Sequence, residues 1–219
     1  MLSKQQYRLY TCVGGIIASA LVGFAEAKLH YSSLGFGGEP YLFFTAISDA
    51  NIKTGHFIAA FSACFYLIGF SHIYTMMKDQ SSLIEKTLTP AFFYYGMSVG
   101  SVWLGSRLYL AKIAKLAYST NEKVYKDLLN QFSFFNESLL WGTRISILIG
   151  SLFLVYLILK SKTDFPKYLA FFNPICTVVY CFLIFLWLPQ IGQYLMPIAM
   201  NVAFFLFFSL SFFHLIKKK

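Results

Sequence analysis

The chain has 219 residues, of which 58% are hydrophobic and only 12% charged, with a formal net charge of +9. Soluble domains carry about 25% charged residues, so a water-soluble globule is excluded. No basic stripe with interleaved aromatics lies outside the apolar runs, which excludes a nucleic-acid partner.

A helix needs about 20 apolar residues to cross the hydrocarbon core of a bilayer. The runs of that kind are 9–29, 56–77, 91–111, 139–159, 168–188 and 194–215. They leave too little chain for a separate soluble domain. The sequence therefore predicts one domain over residues 1–219, an all-α integral membrane bundle of six transmembrane helices. The first run is as long as a full span and no Ala-x-Ala site follows it, so it reads as a retained helix rather than a cleavable signal. Cys12, Cys64, Cys176 and Cys181 all fall inside apolar runs without a CxxC pair, the pattern of small buried hydrophobes rather than of a disulfide framework.

In the first span, Gly15, Ser19, Gly23 and Ala27 recur every four residues, a spacing that lets helices approach closely in lipid. Glu26 and His30 lie beside that face. The loop 31–55 carries Gly35, Gly37, Gly38 and Pro40, then an apolar segment at 41–47 too short to span. Such a piece lies in the interface or dips back where protein covers its backbone. The second span is expected to begin at His56. The third carries Gly96 and Gly100, then Trp103 and Arg107 four apart. Residues 120–133 place Tyr125, Leu128, Leu129 and Phe132 on one face and predict a surface helix. In the fourth span Glu137, Trp141 and Arg144 share a face. Asn173-Pro174 opens the fifth, and Asn201 lies within the sixth.

With both termini cytoplasmic, that side holds Lys4, Arg8, Lys78, Lys86, Lys160, Lys162, Lys167, Lys217, Lys218 and Lys219, against Lys53, Lys112, Lys115, Lys123 and Lys126 opposite. The excess favours N-in, C-in. Glu26, His30, His56, Arg107, Glu137 and Arg144 then all fall near the outer surface. An ionisable residue in a span disfavours insertion by about 2.5–3.5 kcal/mol and usually faces a cavity or a partner. This convergence predicts an outward-facing polar pocket between the first four spans. In it, Glu26, His56 and Glu137 are the candidate catalytic, proton-handling residues. Arg107 and Arg144 are the candidate clamp for an anionic headgroup, with Trp103, Trp141 and Asn201 completing the substrate contacts. The pairing of Arg107 with Glu137 or Glu26 is the structural alternative.

No cofactor follows from the sequence. Glu26, His30 and His56 could supply metal ligands, but no metal motif is present, and no metal is assigned. A pair of haems is disfavoured, because His56 and His72 on one helix are rotated by about 160°.

Several short motifs recur together. Glu26, Leu29 and Tyr31 close the first span, Gly55-His56 opens the second and Asn173-Pro174 the fifth. Asn201 precedes Phe204, Phe205, Phe207 and Phe208. On these the chain resembles a family of small bacterial multi-span membrane proteins of unknown function. The resemblance implies a helical membrane fold in a bacterial inner membrane and no activity. The expected ligand is a membrane lipid or another small amphiphilic or anionic molecule. The expected role is a membrane-embedded enzyme or binding protein for such a molecule; the alternatives are a small-solute transporter or importer substrate-binding subunit and a structural or assembly subunit of a membrane complex. Three plus three spans suit an inverted repeat, but 9–111 and 139–215 share no sequence echo.

Overall fold

The first helix begins where the sequence supplies a reciprocal cap. Ser3 Oγ accepts from Gln6 N at 3.2 Å, and Gln6 Oε1 accepts from Ser3 N at 2.9 Å, so two otherwise unpaired donors of a helix start are satisfied. A computed structural model describes residues 3–35, 39–120 and 122–217. Gly37, Gly38, Asn121, Lys218 and Lys219 lie outside the described residues.

The helices are α1 (Lys4–His30), α2 (Asp49–Ser62), α3 (Cys64–Thr75), α4 (Leu83–Thr120), α5 (Lys123–Leu159), α6 (Pro174–Trp187), α7 (Pro189–Leu195) and α8 (Ala199–Lys217). Short 3-10 turns span Leu42–Ala46, Lys167–Ala170 and Met196–Ile198. The fold is all-helical; among the described residues the isolated β pairing is one antiparallel bridge between Met77 and Thr163.

Among the described residues four stretches are long and apolar enough to cross a membrane: Lys4–His30, Asp49–Thr75, Lys123–Leu159 and Pro189–Lys217. The expected run 91–111 lies inside α4, where Tyr94, Tyr95, Gly96, Gly100 and Arg107 dilute its apolar character. The expected run 168–188 yields only the 14-residue α6 behind a 3-10 turn. At about 1.5 Å per residue α6 is shorter than the roughly 30 Å hydrocarbon core.

Several boundaries differ from expectation. The second span starts two turns before His56, because Ser48 Oγ caps Asn51 N at 3.2 Å and Asp49 occupies the first turn. Lys112 and Lys115 both donate to Asp49 and tie that start to α4. The surface helix expected at 120–133 is not separate. From Lys123 on it is the beginning of α5, a helix of 37 residues, while Thr120 ends α4. It turns Tyr125, Leu128 and Leu129 inward, while Phe132 stays exposed. Asn173 caps α6 by accepting from Ile175 N and Cys176 N, with Pro174 in the first turn, where a missing N–H does no harm.

The core is aromatic. Tyr66 and Phe70 of α3 meet Phe93 of α4 and Phe204 and Phe208 of α8, with ring centroids 5.2–6.3 Å apart. Helices α1 and α3 cross at bare backbone: a Cβ on Gly69 would lie 2.6 Å from Gly15 Cα, and one on Gly15 would lie 2.5 Å from the Phe208 ring. The Gly96 and Gly100 pair faces Ile147, Ser146 and Thr143 of α5.

The Ser3 end of α1 and the Lys217 end of α8 lie at one end of the bundle. There Arg8 donates to Thr75 O at 2.6 and 2.9 Å and to Asp164 Oδ2 at 2.6 Å, and Gln5 Nε2 donates to Leu215 O at 3.5 Å. At the same end, Ser82 and Glu85 form the capping box of α4, and Lys162 donates to Glu85 Oε1. That bond from Lys162, followed by the Ser82 N–H, holds the Glu85 carboxyl below the usual carboxylate range. The contribution is present at neutral pH. It is lost as pH falls from the unfolded value through the depressed folded one, because the unfolded chain takes up the proton first. We expect Glu85→Gln to flatten the acid limb of a plot of melting temperature against pH. An acid limb identical to wild type would mean the pair stabilises nothing.

Candidate functional site

A cavity of about 380 Å³ lies between α1, α4, α5, α6 and the start of α8. Small-molecule sites run from about 300 to 1,000 Å³. Its walls are mainly apolar, with Val22, Leu104, Ile147, Leu148, Val178 and Met200 contributing. The polar groups on the lining include Glu26, His30, Asn201 and Arg144, with Trp103 and Trp141 beside them. Trp141 is 58% exposed and Arg144 is exposed, so the cavity opens beside α5. The Arg144 guanidinium stands 5.4 Å over the Trp141 ring.

Helix α1 positions Glu26, and α8 positions its partner. Asn201 Nδ2 donates to Glu26 Oε2 at 2.5 Å, and Tyr66 OH donates to Asn201 Oδ1 at 2.6 Å. All three residues are buried. The chain of donors runs from the aromatic core to the cavity wall and leaves Glu26 Oε1 as the acceptor available there. Gly23, one turn before Glu26, makes the contact possible: a Cβ on it would sit 3.1 Å from Asn201 Cβ.

Arg107 takes a different role from the one expected. It is 4% exposed and is not part of the cavity lining. Its Nε donates to His30 Nε2 at 3.1 Å and its Nη1 to Asn136 Oδ1 at 3.0 Å. The rings of Tyr41, Phe43, Phe44 and Trp103 surround its guanidinium, with centroids 5.0–5.9 Å away. Each such contact is favourable by about 0.5–2 kcal/mol, more when desolvated. The apolar segment 41–47 delivers three of the rings. Tyr41 turns the chain with φ at 64°, and the 3-10 turn Leu42–Ala46 then buries Phe43 and Phe44.

His30 links the two networks. Its Nδ1 lies 3.0 Å from Glu26 O, which can only accept, and its Nε2 receives Arg107 Nε, which can only donate. The ring therefore carries its proton on Nδ1, and both nitrogens are committed. It also stacks on Trp103 at 5.9 Å.

Glu137 and His56 stand apart from the cavity lining. Glu137 Oε1 accepts from Tyr41 OH at 2.5 Å. Burial first, and then this bond, push the Tyr41 hydroxyl above its ordinary range, which keeps it a donor. His56 is half-buried on α2 beside Phe57, with its Nδ1 buried and, among the described residues, without a hydrogen-bond partner. The expected site thus divides. Glu26, Arg144, Trp103, Trp141 and Asn201 share one cavity, while Arg107 and Glu137 fasten the 41–47 segment. The wall expected from the second span is supplied chiefly by α6 and the 196–201 segment instead. Among the described residues, no three His, Cys, Asp or Glu side chains group as metal ligands.

Three participants carry signals that the charge pattern did not single out. Asn136 is buried and bonds Arg107, Trp103 O and Ser106; its mark was an amide at the start of an apolar run, beside Glu137. Tyr66 looks like an ordinary span aromatic and Tyr41 like one of a short apolar loop segment, and only their hydroxyl partners set them apart.

The molecule is thus an all-helical protein with helices long enough to cross a membrane and an apolar cavity that carries a few buried polar groups. The chain belongs to a family of unknown function, DUF6796, which matches residues 5–218. No curated protein and no solved structure matches it.

Proposed function

We propose that the chain is a multi-pass membrane protein of a bacterial inner membrane, with both termini cytoplasmic, whose cavity binds a small amphiphilic anionic molecule. The observation that carries the reading is the cavity itself. Apolar walls suit an acyl or ring portion, and Arg144 with Trp141 stands at the opening. An arginine there has strong reason to take an anionic partner, since an uncompensated charge at membrane depth is unfavourable. Trp103 Nε1 is buried and has no hydrogen-bond partner among the described residues, a donor that a polar group of the ligand could satisfy. Glu26 Oε1 would accept from a ligand hydroxyl or amide, and Asn201 holds the carboxylate in place. With Arg107 committed elsewhere, the headgroup contact falls to Arg144.

The test is native mass spectrometry of the protein purified in mild detergent, with extraction of whatever it retains. Wild type is expected to hold an amphiphile. Arg144→Ala, which removes an exposed side chain, should reduce occupancy about tenfold, the size of one lost charge-assisted hydrogen bond. Val178→Trp should displace the ligand by filling the cavity. A wild-type mass free of ligand, or occupancy indifferent to both changes, would sink the reading.

The structural-subunit reading has one observation in its favour. Arg107 and Glu137 are held by internal contacts, as charges in an assembly subunit would be. Recovery of a stoichiometric protein partner with an empty cavity would favour it.

A further inference from the structure

At the opposite end of the bundle, a second cleft of about 230 Å³ opens among Lys78, Ser161, Thr163, Asp164, Lys167 and His214. It shares no lining residue with the larger cavity and does not rest on the reading given to that cavity. Its floor is a built clasp between two loops. Lys78 N donates to Lys162 O at 3.0 Å and Asp164 N to Met76 O at 2.7 Å. Lys78 Nζ and Gln80 Nε2 both donate to Ser161 O, at 2.9 and 3.1 Å. Ser161 holds a left-handed φ of 56°, a conformation that a non-glycine residue keeps only where its surroundings fix it.

Two independent features point to a ligand. The first is charge. The Asp164 carboxylate is already taken by Arg8 at 2.6 Å. Among the described residues Lys78 and Lys167 have no ion pair, so the lining has cations in excess. The second is a buried hydroxyl. Thr163 is 3% exposed, and among the described residues its Oγ1 has no hydrogen-bond partner. Buried polar atoms are rarely left unpaired, and an occupant with acceptor oxygens would resolve the deficit.

We propose that this cleft binds a phosphate group, with Lys78 and Lys167 as its cations and Thr163 Oγ1 as a hydroxyl donor. A phosphate presents several strong acceptor oxygens to ammonium and hydroxyl donors. Basic clefts between helices at a membrane surface are where lipid headgroups dock, and free inorganic phosphate offers the same chemistry.

The experiment titrates the full-length protein in detergent with phosphatidic acid and, separately, with diacylglycerol, which differs by the phosphate. Native mass spectrometry reads occupancy, and thermal melts compare inorganic phosphate with chloride at matched ionic strength. Phosphatidic acid should bind in preference to diacylglycerol. The double variant Lys78→Gln, Lys167→Gln should weaken it by more than tenfold, and Thr163→Val, which changes no charge, by about tenfold. Thr163→Ser should retain wild-type binding. Lys167→Gln alone, at an exposed position, guards against failure of the double variant to fold. Stabilisation by inorganic phosphate that Thr163→Val abolishes would identify free phosphate as an occupant. Binding of phosphatidic acid without that stabilisation would identify the lipid. Equal occupancy by both lipids overturns the proposal. So does wild-type affinity in a folded Thr163→Val, which would reduce the lysine effect to diffuse surface attraction.

Discussion

Arg107→Ala is expected to lower the unfolding free energy by about 3–5 kcal/mol, the range for breaking a buried charged network at one member. Three losses combine. His30 Nε2 and Asn136 Oδ1 each lose their guanidinium donor, and a buried acceptor left without a partner is destabilising by about 1–3 kcal/mol. Four rings lose the cation they enclose. A void opens where an arginine stem had been packed. Because Tyr41, Phe43 and Phe44 belong to the turn and Arg107 to α4, the 41–47 segment should detach before the rest of the bundle melts. Arg107→Lys should fall between alanine and wild type, since an ammonium can satisfy one of the two acceptors but lacks the planar fork that reaches both. Thermal melts of the three proteins, with hydrogen exchange over residues 39–48, give the readout. Wild-type melting of the alanine variant would show that the cage contributes nothing.

Gly69→Ala is expected to be nearly as damaging, although it adds a single methyl. The new Cβ would meet Gly15 Cα at 2.6 Å and Gly15 N at 3.1 Å. Backbone has no rotamer to move, so α1 and α3 must separate, and the Phe208 ring seated at the crossing loses its fit. Overpacking of this kind destabilises by about 1–3 kcal/mol and sometimes more; the backbone contact places Gly69 at the upper end. Gly105 is the internal comparison. It also lies in a helix, but a Cβ on it meets nothing within 4 Å. Gly105→Ala should therefore be neutral or stabilising by up to about 1 kcal/mol through helix propensity. If both variants melt alike, close approach of α1 and α3 is not what Gly69 provides.

The small residues of α1 and α4 also show how much of the packing is legible in the sequence. The four-residue spacing of small residues in α1 and of Gly96 and Gly100 in α4 announced helix contacts, and those contacts exist. Asn173-Pro174 announced a helix start, and α6 starts there. Polar residues inside apolar runs drew attention to Glu26, Asn201, Arg107 and Arg144; the first two and Arg144 line the cavity, and Arg107 lies in a separate buried network. The partners were not legible. Charge alone offers Glu26 or Glu137 to Arg107, but the guanidinium is met by an imidazole, an amide and rings that arrive through a left-handed turn at Tyr41. Such a turn leaves no periodic trace in sequence. Nor can an apolar residue on α6 declare whether it faces lipid or a cavity, because both reward the same side chains. The continuity of α5 through 123–138 was hidden for a related reason. Its polar outer face resembles a connector, and only Leu129 and its neighbours, packed inward, reveal a helix that runs on.

Helices α4 and α5, of 38 and 37 residues, are each about 55 Å long, well beyond the roughly 30 Å that hydrocarbon requires. Arg107 lies about 20 Å from the Thr120 tip at this rise, close to where the excess begins. Between Arg107 and that tip, Lys112 and Lys115 hold Asp49 and the Tyr118 hydroxyl donates to Pro40 O at 2.8 Å, so the projecting end of α4 is bound to the 39–49 segment. Arg107 fastens the same segment through the Phe43 and Phe44 rings, and through His30 it touches the cavity wall. Loosening the 39–49 segment should therefore disturb the projecting tip and the cavity lining together.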